Sequence, residues 1–348
     1  MKTLLKISLA AVVLLASLSA FAVRAGNNTP TLYVVTNLGP GSAFKASNPD
    51  SSGTFLVVGS SPDPVNPNGP GLATVWTVSV DGTVVDVFTY DTLGHSFAID
   101  VNDHGMIIGS SQFGPFVDVP GVGVKFLPEA LQVEGLNNEG VVVGFISDPT
   151  GPDHVSGAVW YVNATGAITG PVQTNIGPGM TFMPLDINDD GTMSGFILTA
   201  GSSNTTAAIA EFDRHGELDV TNLGVLHPGD TGATAWSINR DGLVAGFSEN
   251  SNGPSIFLWD PSQPNKLTSL GIGFTAPDIN DNAQIVFTSV NKANVDVGVI
   301  WQNGKRTDLN TVLAASLNDT IQEAIGINNA GHIVGLLQSR NICVLTPQ

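Results

Sequence analysis

The sequence predicts an all-β chain folded as a seven-bladed β-propeller of four-stranded blades, and three observations predict it. A short phrase recurs at a mean spacing of about 47 residues. Each unit carries four short strand-like runs. The chain also opens with the one strand that its last unit lacks. Units of this length, built from four strands each, are the mark of propeller blades.

The phrase is clearest at Ile238-Asn239-Arg240-Asp241-Gly242-Leu243-Val244-Ala245-Gly246. An apolar residue and Asn are followed by two mostly polar residues, Gly, and a Val-rich run that ends in Gly. It returns at Asn102, Asn137, Asn188, Asn280 and Asn328, with Ala283 replacing one Gly, and a degraded copy begins at Asn48. The intervals between these Asn positions are 54, 35, 51, 51, 41 and 48 residues, so the second unit is compressed. A six-bladed ring that absorbs this unit, a β-solenoid and a pair of sandwiches are the alternative architectures.

The first strand of each unit ends at the Asn, as in Ala235 to Asn239, and the second follows the Gly, as in Leu243 to Phe247. The third is apolar and closes on Trp76, Trp160, Trp259 or Trp301. The fourth ends in a Leu-Gly-like pair: Leu93-Gly94, Ile176-Gly177, Leu223-Gly224 and Leu270-Gly271. These runs are rich in Val, Ile, Phe and Trp and punctuated by Gly, Asn and Pro, which reads as strand and not helix. Only Asn310 to Glu323 tolerates a helix, and it falls in a connection.

Turn chemistry sets the blade boundaries. Asn-x-x-Gly between first and second strands is a tight hairpin: Asn accepts hydrogen bonds from the turn backbone, and Gly takes positive φ where the strand resumes. Third and fourth strands are joined as tightly, at Asp81-Gly82, Asn163 to Gly166, His215-Gly216 and Asn303-Gly304. The remaining connections are longer and more polar. A blade therefore reads A, B, C, D, with A innermost and the long B–C and D–A connections sharing one face. The chain begins with Thr31 to Gly39, a D strand with its Leu-Gly, and finishes at Leu345 in a seventh C strand. Pairing the two closes the ring and removes an exposed edge.

Residues 235–246, 257–259, 270–271 and 327–335 read as Ala-x-x-Ile-Asn-x-x-Gly-x-Val-Val-Gly, then Ala-Phe-Leu-Trp, then Leu-Gly, each in approximate form. In this set, and in the ending Cys343 to Pro347, the chain resembles the HAF-repeat proteins, exported bacterial repeat proteins. The His-Ala-Phe triplet itself is lacking. The resemblance covers essentially the whole chain after the N-terminal segment and implies a secreted repeat protein. It brings no established activity and no catalytic residues.

The N-terminus reads as a secretory signal over residues 1–22. Lys2 and Lys6 precede an apolar run from Ile7 to Ala22, and Ala20-Phe21-Ala22 is a cleavage site, with a second after Ala25. The expected mature chain, 23–348, is a single propeller domain, exported and without a membrane span. Loss of Lys2 and Lys6 takes the formal charge from −18 to −20. Such a chain, with no basic run, excludes nucleic acid and anionic membrane surfaces as partners. Charged residues make up 12% and hydrophobic ones 42%, which excludes disorder. Cys343 stands alone in an apolar run, so no intramolecular disulfide forms and a buried, inert thiol is expected.

Chemistry is sparse. Asn188-Asp189-Asp190-Gly191 resembles a calcium loop only superficially, because no distal bidentate Glu follows; it reads as a turn. No His-x-x-x-His or Cys/His pattern suits zinc, and no Gly-x-Ser-x-Gly or phosphate-cradling loop is present. No metal, cofactor or catalytic residue is therefore assigned. The Trp set is expected in inter-blade core, and Trp236 sits on an A strand near the axis. Candidate ligand contacts lie on the long connections: Asp63, Asn68, His95, Asp148, Asp153, His154, His227, Asp230 and Asn252. An acidic, Asn-rich mouth there suits an extracellular polymer, a peptide or a protein. The leading expectation is a monomeric, secreted binding module without chemistry of its own. A propeller hydrolase or lyase and a structural envelope protein are the alternatives.

Overall fold

The computed structural model describes residues 31–67, 69–251 and 253–348, and the expected signal segment lies outside them. Strand β1 (Tyr33–Pro40) stands first. Blade 1 is β2 (Ser42–Ala46), β3 (Thr54–Ser61), β4 (Leu72–Ser79) and β5 (Val84–Thr89). Blade 2 is β6 (Ser96–Val101), β7 (Ile107–Ser111), β8 (Gly114–Val119) and β9 (Gly123–Phe126). Blade 3 is β10 (Ala130–Leu136), β11 (Val141–Ser147), β12 (Val155–Val162) and β13 (Ile168–Gln173). Blade 4 adds a short edge strand, β14 (Asn175–Gly177), to β15 (Met180–Ile187), β16 (Met193–Thr199), β17 (Thr206–Phe212) and β18 (Leu218–Gly224). Blade 5 is β19 (Gly232–Ile238), β20 (Val244–Asn250), β21 (Gly253–Trp259) and β22 (Leu267–Ile272). Blade 6 is β23 (Asp278–Ile279), β24 (Ile285–Val290), β25 (Asp296–Gln302) and β26 (Lys305–Asp308). Blade 7 is β27 (Ile321–Ile327), β28 (Ile333–Leu337) and β29 (Asn341–Pro347), completed by β1.

The fold is thus a seven-bladed propeller, and the closure follows the sequence reading. β1 pairs antiparallel with β29, Val35 opposite Leu345 and Asn37 opposite Cys343. The second unit is a complete blade. It is short because β7 and β8 are joined by two residues and β9 has four.

Hydrophobic core sits between blades, one cluster at each of the seven junctions. Trp76 packs with Phe55, Val334 and Ile342 between blades 1 and 7, and Trp160 with Ile108 and Val133 between blades 2 and 3. Each fully buried aliphatic or aromatic side chain contributes roughly 1.5–3 kcal/mol. Trp259 is buried in the junction of blades 4 and 5, while Trp301 is partly buried against that of blades 5 and 6.

The repeated Asn does more than make its turn. Asn239 Oδ1 accepts from Leu243 N–H at 2.9 Å, and its Nδ2 donates to the Asn280 carbonyl of the next blade at 3.0 Å. The same donation links Asn102 to Asn137, Asn137 to Asn188, Asn188 to Asn239, Asn280 to Asn328 and Asn328 to Ser47. Only a short side chain with both acceptor and donor performs both tasks, which Asp cannot.

Four readings need correction, the first being Leu93-Gly94, which ends no D strand because β5 stops at Thr89 and Asp91–Leu93 is a 3₁₀ turn. In blade 1 the turn position belongs to Ser47, whose Oγ accepts from Leu56 N–H, and not to Asn48. Ile176-Gly177 does not end a D strand; it lies in β14, paired with blade 4. Residues 310–323 form no α-helix but a single 3₁₀ turn, Leu309–Thr311, capped by Asp308, and then β27. Asn310 ties that turn to Ile321 with two hydrogen bonds, which hold the backbone extended.

Candidate functional site

The axial site originates in a backbone irregularity. Six A strands lose register immediately after the residue that faces the repeat's second Gly. The pairs are Ala43 and Gly59, Ala98 and Gly109, Val133 and Gly144, Pro184 and Gly195, Ala235 and Gly246, Ala324 and Gly335. Backbones approach so closely there that a Cβ on Gly246 would stand 2.2 Å from the Thr234 carbonyl oxygen. Each bulge inserts one unpaired residue and re-aims its neighbours. Blade 6 carries Phe287 at the Gly position and Pro277 immediately before its A strand, and there the A–B pairing shrinks to Asp278 and Ile279.

The unpaired residues are Phe44, Ile99, Glu134, Leu185, Trp236 and Ile325, with Pro277 in the same place in blade 6. All seven line one cavity of about 440 Å³ toward the D–A ends of the A strands, the face of the long connections. Its wall is largely apolar. Phe44 and Phe97 rings meet at 6.3 Å, and Trp236, 36% exposed, leans on Phe247 at 6.0 Å. Glu134, Glu323 and Gln132 add polar edges. Burial pushes the Glu134 carboxyl up to about 7 against the opposing hydrogen bond from Gln132.

The floor is charged. The residue after each bulge is Lys45, Asp100, Gly135, Asp186, Ser237 or Gly326, with Asp278 in blade 6, so carboxylates come from blades 2, 4 and 6. Lys45 Nζ lies 2.6 Å from Asp278 Oδ1. Asp100 accepts from Val101 N–H at 2.8 Å and, in the next blade, Leu136 N–H at 2.9 Å. Asp186 likewise accepts from Ile187 at 2.9 Å and Ile238 at 3.0 Å, and Asp278 from Ile327 at 2.7 Å. Burial alone would lower the Lys45 ammonium, but Asp278, Asp186 and Asp100 together hold it above its ordinary value. Burial pushes Asp100 up to about 7, with Lys45 pulling against it and Asp186 adding to it. Asp186 is raised for the same reason.

Lys45, Asp100 and Asp186 also border a second space of about 240 Å³, a polar well at the A–B turns. Its rim is Asn48, Asp103, Asn138, Asp189, Arg240, Asp281 and Asn329, joined blade to blade. Asp103 N–H donates to Asn138 Oδ1 at 2.8 Å, Asn138 N–H to Asp189 Oδ1 at 2.9 Å and Asn329 N–H to Asn48 Oδ1 at 2.7 Å. Asp189 is therefore a rim fastener.

The candidates on the long connections are not brought to the axis. Asp63, His95, Asp148, Asp153, His154, His227 and Asp230 are absent from the residues lining the vestibule; Asn68 and Asn252 lie outside the described residues. Asp63 caps Val65, and His95 meets the Gly71 carbonyl at 3.3 Å. Asp148 binds Thr150 through both hydroxyl and N–H, which holds its carboxyl below the usual range. Asp153 and His154 sit at positive φ in a tight bend, with His154 Nδ1 at 3.3 Å from the Pro149 carbonyl. Asp230 gathers Ser248, Asn250 and His227 N–H; against the burial that would raise it, these hold its carboxyl low. These side chains pin loops locally. The sequence reading missed Lys45, Asp100, Asp186 and Asp278, whose signal is their position two residues before the repeat's Asn, or before Ser47.

With the geometry in place, the chain can be set beside known proteins. No protein-family model matches it, and no curated protein does. Among solved structures it is similar to a catalytically inactive virginiamycin B lyase from Staphylococcus aureus with quinupristin. That match has 13% identity and a TM-score of 0.50, and covers 90% of this chain and 99% of that one. It is also similar to the Dos1 propeller, at 12% identity and TM-score 0.46, over 90% and 95% of the two chains. TolB from Acinetobacter baumannii matches at 10% identity and TM-score 0.42, over 86% of this chain and 64% of that one. At 13% identity the likeness to the lyase is one of fold alone. Among the described residues no helix is long and apolar enough to cross a membrane.

Proposed function

We propose that the chain is an exported, non-catalytic binding module of the HAF-repeat kind, whose ligand enters the axial vestibule from the face of the long connections. One observation carries this reading: the bulged residues of the A strands converge on a single cavity with apolar walls and a small set of buried polar groups. Cavities of this size and lining are the usual form of small-ligand sites. The signal-like residues 1–22 and the acidic composition support an address outside the cytoplasm. The test is a glycan, peptide and small-molecule array probed with the mature protein and with Trp236→Ala. Hits that vanish with the variant support the vestibule; hits indifferent to it refute it.

A second reading has its own observation. Asp100 is a buried carboxyl held near neutral pKa beside Asp186, a combination that suits proton transfer. On that reading the chain is a hydrolase or lyase acting on an extracellular polymer, and array hits are consumed. Product formation abolished by Asp100→Asn in a folded variant would establish it over the binding role.

A further inference from the structure

We propose that the vestibule selects small organic amines, with an ammonium group directed at Asp100 and Asp186 and an aromatic body against Phe44, Phe97 and Trp236. The proposal rests on the vestibule being the ligand site and names the class of ligand it takes.

The argument starts from charge. Among the described residues five carboxylates line the cavity, Asp100, Glu134, Asp186, Asp278 and Glu323, against one cation, Lys45. Lys45 is committed to Asp278 at 2.6 Å. Among the described residues Asp100 and Asp186 accept hydrogen bonds from backbone N–H groups, two each, and each carboxylate has further lone pairs to offer. The Lys45 charge is shared among Asp278, Asp186 and Asp100, and a bound ammonium would add a second cation to a cluster that one cation does not neutralise. Burial raises both carboxyls, and a bound ammonium would draw them back to the ionised form.

Anionic ligands meet a net negative field in a water-poor space, where repulsion is strong. A neutral ligand gains the wall and leaves the floor unpaired. Sugars, rich in hydroxyls and poor in apolar surface, waste the wall. An aromatic amine uses both, since the apolar body covers the exposed Phe44 ring and the ammonium can also lie over the Trp236 face. The cavity of about 440 Å³ accommodates a ligand of that size.

The test uses the whole mature chain in calorimetric titrations with three probes of similar shape: phenethylamine, N-acetylphenethylamine and 3-phenylpropionate. Phenethylamine is expected to bind at least tenfold more tightly than the neutral amide, with no binding of the carboxylate. Asp186→Asn should weaken the amine at least tenfold. Should that variant fail to fold, Glu323→Gln on the vestibule edge is expected to weaken it two- to threefold. Equal or tighter binding of the amide or the carboxylate overturns the amine class. If no probe binds while array hits still depend on Trp236, the vestibule stands and the amine selection falls. Loss of Trp236 dependence brings down the vestibule reading itself.

Discussion

Lys45 Nζ reaches Asp278 Oδ1 at 2.6 Å across 233 residues of sequence, from blade 1 to blade 6. It passes over blade 7, where the equivalent position is Gly326. A Cβ there would stand 2.6 Å from the Phe44 carbonyl oxygen, so the glycine permits the close approach of the two A strands. Removing the ammonium leaves Asp278 and Asp100 buried, and Asp186 half-buried, without a counter-charge. Lys45→Met is expected to cost about 3 kcal/mol at pH 8, in line with breaking buried ion pairs. At pH 4, well below the value of about 7 to which Asp100 is raised, the cost should shrink. Denaturant midpoints at the two pH values check both parts.

Glu134 gives a cleaner linkage experiment. Its folded pKa is raised from 4.5 to about 7, so the folded chain binds more protons than the unfolded chain between those values. Stability from this group therefore falls as pH rises from 4.5 to 7 and stays low above. Glu134→Gln keeps an acceptor for Gln132 and removes the charge. The variant should melt several degrees higher than the parent at pH 8 and at the parent's temperature at pH 4, as read by thermal denaturation.

The Asn ring separates donor from acceptor. Asn188→Asp retains the acceptor for Thr192 N–H but turns the donor that serves the Asn239 carbonyl into a second acceptor. It should destabilise by about 2–3 kcal/mol, as much as Asn188→Ala, because the buried carbonyl loses its partner either way. Retention of parental stability by the Asp variant in a denaturant titration would show that the inter-blade bond contributes little.

Ring closure is tested by deleting residues 1–40. Without β1, β29 becomes an open edge, and a lower melting temperature with self-association in sedimentation is expected. A monomer with parental stability would mean that closure is dispensable.

Cys343 is fully buried opposite Asn37, and burial pushes its thiol up to about 12. A thiol reagent at pH 8 should label it only at the rate of global unfolding, accelerating with denaturant in step with loss of tryptophan fluorescence.

Much of this architecture was legible because repeats average out local ambiguity. The Asn-x-x-Gly turn and the Val-rich B strand recur often enough that one poor copy, at Ser47, does not obscure the period. That copy was misplaced by one residue because Ser47 Oγ does the acceptor's work of Asn, a substitution of atom for atom and not of name. Ile176-Gly177 misled because a Leu-Gly-like pair marks a strand end without saying which neighbour the strand joins. The site was less legible. Polar residues on exposed connections drew attention to His95, Asp148 and Asp230, yet these spend their atoms on their own loops. The vestibule depends on a bulge, which breaks the alternation from which facing is normally inferred. Strict period two would put Trp236 and Ser237 on opposite faces, whereas both border the axis.

The backbone N–H of Gln348 donates to the Leu32 carbonyl at 2.9 Å, so the two described ends of the chain are neighbours. Vectorial synthesis releases the amino-terminal strand first and its sheet partner last. Until β29 emerges, the nascent protein carries two unsatisfied sheet margins, and pairing them joins residues about 300 positions apart, which makes it the slowest contact to form. Translation must therefore pass β29 before the circle can close, and a stop codon anywhere ahead of β29 leaves every earlier blade in an open arc.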